Sequence, residues 1–312
     1  MLNVLSLFDG ISCGQIALER ANIKINKYFA SEININSIKI TQKNYPKTIQ
    51  IGDVTKINSK DLPKIDLLIG GSPCQDFSQY KAGYGKGIDG EKSKLFKEYL
   101  RLLKEIKPKF FLLENVPMKK EWEDLISKEL GIKPIKINSN LICAGDRKRL
   151  YWTNIPNIKQ LQKKESILKD ILLNIEDVEN KYWYNRDFEF HGENNKVAAT
   201  LSLKGHRHMK EVYSQNFKTN TLTTCNGGNI QKKVYQDGKC RKLTPLEYER
   251  IQTIPDNYTE GVADTHRYNG CGDGWTVDVI SHILSHIPLA ENSKEDGIPP
   301  TNKLVGILPK RL

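Results

Sequence analysis

Through its first half the chain alternates short apolar runs with amphipathic stretches, and beyond Pro156 that rhythm stops. Apolar runs at Asn3 to Phe8, Lys27 to Ser31, Ile49 to Ile51, Ile65 to Ile69 and Phe110 to Leu113 predict strands. Apolar spacing from Gly14 to Ala21, Ile35 to Asn44 and Leu95 to Ile106 predicts helices between them. Strands alternating with helices predict an α/β fold built on a doubly wound, mostly parallel sheet. Ligands of such sheets bind outside the carboxyl ends of the strands, near the point where strand order reverses. Phe8-Asp9-Gly10, Glu32, Asp53 and Pro73-Cys74 all fall at predicted strand ends.

From residue 158 to 240 the apolar pieces are short and separated by polar, glycine-containing turns, as in Val197 to Leu201 and Thr221 to Gly228. This predicts a smaller, irregular and β-rich domain. Helical spacing resumes at Leu246 to Ile251 and Trp275 to Ile287, which predicts a return to the first domain. The expected division is therefore residues 1–157, a second domain over 158–258, a returning segment over 259–290, and an extended tail over 291–312.

Composition narrows the class. With 312 residues the chain has enough length for a large core, and no apolar stretch approaches the roughly 20 residues a membrane span needs. Met1 to Phe8 is too short and too uncharged for a signal peptide, so a cytoplasmic protein is expected. The six cysteines form no Cys-x-x-Cys pair and no Cys/His cluster with zinc spacing, so neither a disulfide framework nor a metal is expected. A formal net charge of +11 suits a polyanionic partner and equally a solvated lysine-rich surface.

Candidate chemistry begins at the strand ends. Phe8 to Gly14 is a strand-to-helix turn whose Gly10 and Gly14 permit close backbone approach to a ligand, although the Gly-x-Gly-x-x-Gly fingerprint is absent. Glu32 is placed to accept from a ribose diol and Asp53 from an adenine amino group, so the three strand ends fit one nucleoside. Cys74, where a buried strand runs into a loop, can act as a nucleophile, and Glu114 at the end of the next strand can meet it there. Taken singly, Cys74 reads better as a buried thiol in a turn and Glu114 as a helix-capping acid. The glycine-rich polar stretch from Ser78 to Gly90, directly after Cys74, predicts a mobile lid.

Taken together, these residues resemble the S-adenosylmethionine-dependent cytosine-C5 DNA methyltransferases. Leu7-Phe8-Asp9-Gly10-Ile11, Gly71-Ser72-Pro73-Cys74-Gln75, Glu114-Asn115-Val116 and Arg147-Lys148-Arg149 stand in that family's order. They are followed by Arg241-Lys242-Leu243-Thr244-Pro245, Arg250-Ile251-Gln252, Pro255-Asp256-Asn257-Tyr258 and Trp275-Thr276-Val277-Asp278-Val279-Ile280. Several of these stretches look similar to the catalytic domain of the de novo-type enzymes, while the compact chain looks like a bacterial or phage member.

The resemblance implies that Cys74 adds to cytosine C6, that Glu114 holds N3, and that Arg149 and Arg147 contact the base carbonyl and the cofactor-side loop, with Gln75 and Ser78 beside the nucleophile. For S-adenosylmethionine it implies contacts from Phe8, Asp9, Gly10, Ile11, Cys13 and Gly14 in the first turn. Glu32 and Ile33, Asp53 and Val54, Pro73, Asp273 and Trp275 would complete that pocket. It makes the second domain a target-recognition domain for double-stranded DNA. There, residues 191–240 carry eight Lys/Arg against three acids, and Lys204, His206, Arg207, Asn226, Gly227, Asn229 and Arg241 are the candidate contacts. Lys81 and Lys86 would meet phosphates. A monomer is expected, either the modification partner of a restriction endonuclease carried on a separate chain or a solitary phage or bacterial methylase.

The chain departs from the family pattern at three places. Gly145 stands where the family usually has Gln, Asp273 where Asn is frequent, and Asp278 where Pro is usual. Two other readings share the motifs: a tRNA-directed member of the family, and a catalytically silent DNA-binding relative.

Overall fold

The computed structural model describes residues 1–72, 94–225 and 229–288. Pro73, Cys74, Gln75, Ser78, Lys81 and Lys86, with the rest of the expected lid, lie outside the described residues, as do Asn226, Gly227 and the tail beyond residue 288.

The first half folds as alternating strands and helices: β1 (Leu2–Leu7), α1 (Cys13–Arg20), β2 (Ile25–Ser31), α2 (Ile35–Asn44), β3 (Ile49–Gln50), β4 (Leu67–Gly71), α3 (Lys94–Ile106) and β5 (Phe110–Asn115). Then come α4 (Lys120–Leu130), β6 (Ile135–Asn138) and β7 (Lys148–Thr153). These strands form one seven-stranded sheet in the order β3-β2-β1-β4-β5-β7-β6. The first five are mutually parallel, and β7 runs antiparallel to both β5 and β6. The sequence reading missed β6, β7 and α4.

Alternate residues of the central strands feed two cores on opposite faces of the sheet. Val4, Leu67, Ile69 and Leu112 join one cluster, while Leu5, Leu7, Leu68, Phe111 and Leu113 join the other. A strand buried on both faces must be apolar almost throughout, which is why Leu-Leu-Ile-Gly-Gly and Phe-Phe-Leu-Leu-Glu-Asn are unbroken runs. Helix α3 closes the second core with Phe96, Tyr99, Leu100 and Leu102.

The second sheet comprises β8 (Phe188–Phe190), β9 (Val197–Leu201), β10 (Glu211–Ser214), β11 (Lys233–Gln236) and β12 (Lys239–Lys242), in the order β12-β11-β10-β9-β8. Its own small core is Ala199, Leu201, Val212 and Cys240. Thr221 to Cys225 is not a strand. Its polar groups go instead to the first domain, with Thr221 Oγ1 donating to Asp146 O and Cys225 N to Asn269 Oδ1.

Helix α5 (Pro245–Ile251) follows, opened by a capping box between Thr244 and Glu247 with Pro245 in its first turn. Then come α6 (Asp264–Asp273), unforeseen in the sequence, and α7 (Val277–Leu284), which packs against α1. Contacts with the large sheet's helices begin well before residue 259. Ile251 and Ile254 lie in the core shared with α1 and α7, and Arg20 Nη1 donates to Thr253 O. Helix α5 thus joins the two parts, since Leu173 N donates to Glu247 and Lys232 N to Tyr248 Oη.

Candidate active site

Strand order reverses between β1 and β4, and the register there puts Leu7 beside both Ser31 and Gly70, and Gly71 beside Glu114. The ends of β1, β2, β4 and β5 therefore lie on one edge of the sheet, the position this topology reserves for ligands.

After β1 the chain makes a tight turn with positive φ at Phe8, Gly10 and Ser12. Gly10 N donates to Glu32 Oε2 at 2.7 Å, while Glu32 Oε1 accepts from Ile33 N and Asn34 N, both at 2.8 Å. Three backbone N–H groups thus fix the Glu32 carboxylate beside the turn. A Cβ on Gly10 would meet nothing within 4 Å, so the space over the turn is open, whereas Gly14 is packed tight, its Cβ position 2.5 Å from Ile69 Cδ1. Ile11, Cys13 and Gly14 are buried and back the turn from beneath. Burial pushes the Cys13 thiol up to about 12.

Asp9 accepts from Tyr28 Oη at 2.7 Å and from Ser12 Oγ. Burial raises its carboxyl to about 6 against the pull of those bonds. Ile33 is 77% exposed and stands immediately after Glu32. Asp53 is held by Thr55 N and Thr55 Oγ1, which lower its carboxyl, and Val54 is buried. An open glycine turn, a fixed carboxylate and a bare apolar side chain suit a nucleoside with an attached charged arm.

At the end of β5, Glu114 is 8% exposed and bracketed by two donors. Arg149 Nε stands 2.7 Å from its Oε1, and Trp275 Nε1 donates to its Oε2 at 3.1 Å. The β5–β7 pairing explains the first contact. Glu114 faces Tyr151, and Arg149, two residues away on the same side of β7, reaches it diagonally. The next residue, Asn115, donates through Nδ2 to Ser72 Oγ at 3.1 Å, tying the end of β5 to the end of β4 two positions before Cys74.

Arg147 is buried. Its Nη1 donates to Leu222 O at 3.2 Å and to Gly272 O at 3.1 Å, joining the 219–225 segment to the end of α6. Burial, with Arg149 nearby, pulls its guanidinium down to about 10. Gly272 must be glycine there, because its Cβ would lie 2.5 Å from the Thr223 carbonyl carbon. Asp273 follows at the exposed end of α6.

One expected DNA contact is corrected. Arg241 is fully buried, with Nη2 2.6 Å from Glu247 Oε1, Nη1 2.8 Å from Glu247 Oε2 and Nε 2.8 Å from Gln236 Oε1. A bidentate pair of this kind fills the guanidinium's donors and leaves it no surface to present to DNA. In contrast, Lys204, His206 and Arg207 sit on an exposed turn, with the His206 and His208 rings stacked at 5.8 Å and Arg207 Nε 3.0 Å from Glu211 Oε1. Asn229 has positive φ, its Oδ1 accepting from Tyr184 Oη and its carbonyl from Lys233 Nζ.

The departures from the family pattern have structural accounts at two places. A Cβ at Gly145 would lie 2.7 Å from Ile251 Cγ2, so glycine lets residues 145–147 approach α5. Asp278 sits in the first turn of α7 and pairs with Arg20 at 2.6 Å, pinning α7 to α1. Sequence reasoning missed Tyr28, Asn115 with Ser72, and the bond from Trp275 to Glu114. Gln252, quoted within a motif without a role, donates to Cys271 O and Gly274 O and so shapes the turn that carries Trp275.

The family described as C-5 cytosine-specific DNA methylase matches residues 2–124 and 137–288. A relative from Lactococcus lactis subsp. cremoris, Type II methyltransferase M1.ScrFI, is 30% identical, covering 94% of this chain and 79% of its own. Type II methyltransferase M.NlaX of Neisseria lactamica is 28% identical over 95% of this chain and 99% of its own. Among solved structures, the Entamoeba histolytica methyltransferase EhMeth superposes with a TM-score of 0.72 at 19% identity, covering 92% of this chain and 97% of its own, a likeness of fold. The chain belongs to the C-5 cytosine-specific DNA methylase family and is a DNA cytosine-C5 methyltransferase. Enzymes of this class use S-adenosylmethionine, and their substrate is DNA. Among the described residues no helix is long and apolar enough to cross a membrane, and no group of three or more His, Cys, Asp or Glu could hold a metal ion.

Proposed function

We propose that the chain methylates cytosine within one short sequence of double-stranded DNA, with Cys74 as nucleophile and Glu114 and Arg149 holding the base. The single observation that carries this reading is the Glu114 carboxylate, set between Arg149 and Trp275 at the strand end that Asn115 ties to Ser72. From Ser72 the chain runs two residues to Cys74.

The target cytosine is turned out of the duplex at a cost of roughly a few kcal/mol. The Cys74 thiolate adds to C6, which places electron density on the ring and makes C5 nucleophilic. Glu114 meets N3 and the exocyclic amine, while Arg149 donates to the base carbonyl, so both sides of the developing charge are held. As C5 takes the methyl group, the bond from that group to the sulfonium sulfur breaks, and transfer of the C5 proton to a solvent base with expulsion of the Cys74 thiolate from C6 restores the ring. Arg147, tied to Leu222 and Gly272, keeps the cofactor side and the second domain in register.

S-adenosylmethionine, when bound, supplies an electrophilic methyl group. The described residues fit it: Phe8, Asp9, Gly10, Glu32, Ile33 and Asp53 would line its place, Ile11, Cys13, Gly14 and Val54 would support them, and Asp273 and Trp275 would complete the wall, with Pro73 expected beside them from its motif. Lys204, His206, Arg207 and Asn229, with Asn226 and Gly227, would read or grip the groove, and Lys81 and Lys86 the phosphates. We infer a cytoplasmic monomer; the Type II designation of two relatives suits a modification partner of an endonuclease, and the orphan designation of another suits a solitary enzyme.

Competition between duplex DNA and tRNA for labelled methyl transfer, with Cys74→Ser in parallel, tests this reading. Transfer to DNA that tRNA does not suppress, abolished in the variant while DNA binding persists, is expected. Transfer to tRNA, or a Cys74→Ser protein as active as the parent, would overturn it.

A further inference from the structure

The Glu114 carboxylate is held by two residues from distant parts of the chain. Arg149 takes Oε1 from the neighbouring strand, and Trp275 takes Oε2 from the turn between α6 and α7, 161 positions away in sequence. The bond to Trp275 is enclosed. A Cβ on Gly71 would stand 2.9 Å from Glu114 Oε2 and 3.0 Å from Trp275 Nε1, so the backbone of β4 closes directly over it. On its other side the Trp275 ring lies 3.6 Å from the Cβ position of Gly14, at the start of α1. The turn carrying Trp275 is fixed by Gln252, which donates to Cys271 O and Gly274 O and accepts from Thr276 Oγ1.

We propose that Trp275 is a positioning residue for the reaction: its indole N–H sets the plane of the Glu114 carboxylate opposite Arg149 and ties the base-holding group to the wall of the cofactor pocket. A carboxylate held only by Arg149 could rotate about its last bond and swing its second oxygen away from the base. A second donor at Oε2 blocks that rotation, and an indole N–H has no acceptor function that would compete for the base. This inference rests on the reading of Glu114 as the residue that meets N3.

The test removes the N–H and keeps the ring. Suppressor-tRNA incorporation of benzothienylalanine at position 275 replaces the indole N–H by sulfur with little change of shape, and Trp275→Phe is a second, simpler variant. Three quantities are measured for each: single-turnover methyl transfer at saturating DNA and cofactor, cofactor Kd, and the same rate in a Glu114→Gln background. Loss of a hydrogen bond to a charged group predicts a fall in the saturated rate of roughly 10- to 100-fold. For the benzothienylalanine variant, which keeps the ring against Gly14, cofactor Kd should stay within about twofold, whereas Trp275→Phe also trims the pocket wall and is read only through the coupling; in both, the rate loss should shrink markedly in the Glu114→Gln background, as for residues acting through one another. An unchanged saturated rate with weakened cofactor binding would make Trp275 a cofactor wall only and overturn the proposal. An equal fold-loss with and without Glu114→Gln would also overturn it, because Trp275 would then act independently of Glu114. Full activity of Glu114→Gln alone would instead refute the role of Glu114.

Discussion

Arg149 Nε lies 2.7 Å from Glu114 Oε1 across the pairing of β5 with β7, with both side chains nearly closed off from solvent. The arginine holds the carboxylate through Nε, and in the proposed reaction its remaining guanidinium N–H groups would meet the base, a division a lysine cannot reproduce. Arg149→Met should lower the saturated methyl-transfer rate by about 100-fold, in the range found when one charge-stabilising donor is removed from an active site. Arg149→Lys should recover only part of the loss. Single-turnover assays at saturating DNA check both, and a Lys variant matching the parent would show that the planar fork is unnecessary.

The buried pair of Arg241 and Glu247 should act on stability and leave DNA contact untouched. Arg241→Met leaves Glu247 charged and unpaired in the interior, which should destabilise by about 3–5 kcal/mol in urea unfolding. Combining it with Glu247→Leu should recover much of that loss. The folded Arg241→Met protein should bind DNA within about twofold of the parent, since a buried guanidinium touches no phosphate.

Gly145 and Ile251 share one space. Restoring the glutamine usual in the family, Gly145→Gln, should therefore cost about 1–3 kcal/mol by overpacking. Adding Ile251→Ala should relieve part of that cost, so the double variant in urea unfolding should be less destabilised than the two single effects predict.

Asp9 predicts a pH dependence of stability. Its carboxyl is raised from 3.8 to about 6 by burial. Between those values the folded state binds more protons than the unfolded state, so its contribution is fully present below about pH 4 and is lost as pH rises through about 6. Asp9→Asn removes this term. The stability of the parent relative to the variant should fall by about 2 kcal/mol between pH 4 and pH 7, and a flat difference would show that Asp9 titrates normally.

The sequence made the central sheet legible because β4 and β5 are buried almost throughout, and β1 and β2 over their last four residues, so each carries a mostly apolar stretch. It hid β7, whose Lys148-Arg149 start is charged and whose side chains serve the site as well as the core. It also hid α6, a polar helix with two glycines that buries only Tyr268, Cys271 and Gly272 and is held by tertiary contacts. Glu114 and Arg149 could be named as candidates from their motifs, but their distance follows from a strand pairing that no local pattern reports. Arg241 misled for a related reason: a motif arginine in a basic segment has the same letter whether it faces DNA or a buried Glu247. The bond from Trp275 to Glu114 spans 161 residues and has no local signature.

The most direct measurement is bisulfite sequencing of DNA from a methylation-free bacterial host expressing this chain, beside the Cys74→Ala variant. Protection of cytosines in one short sequence context, absent in the variant, is the predicted result. Full conversion of every cytosine in both samples, from soluble protein, would contradict the account.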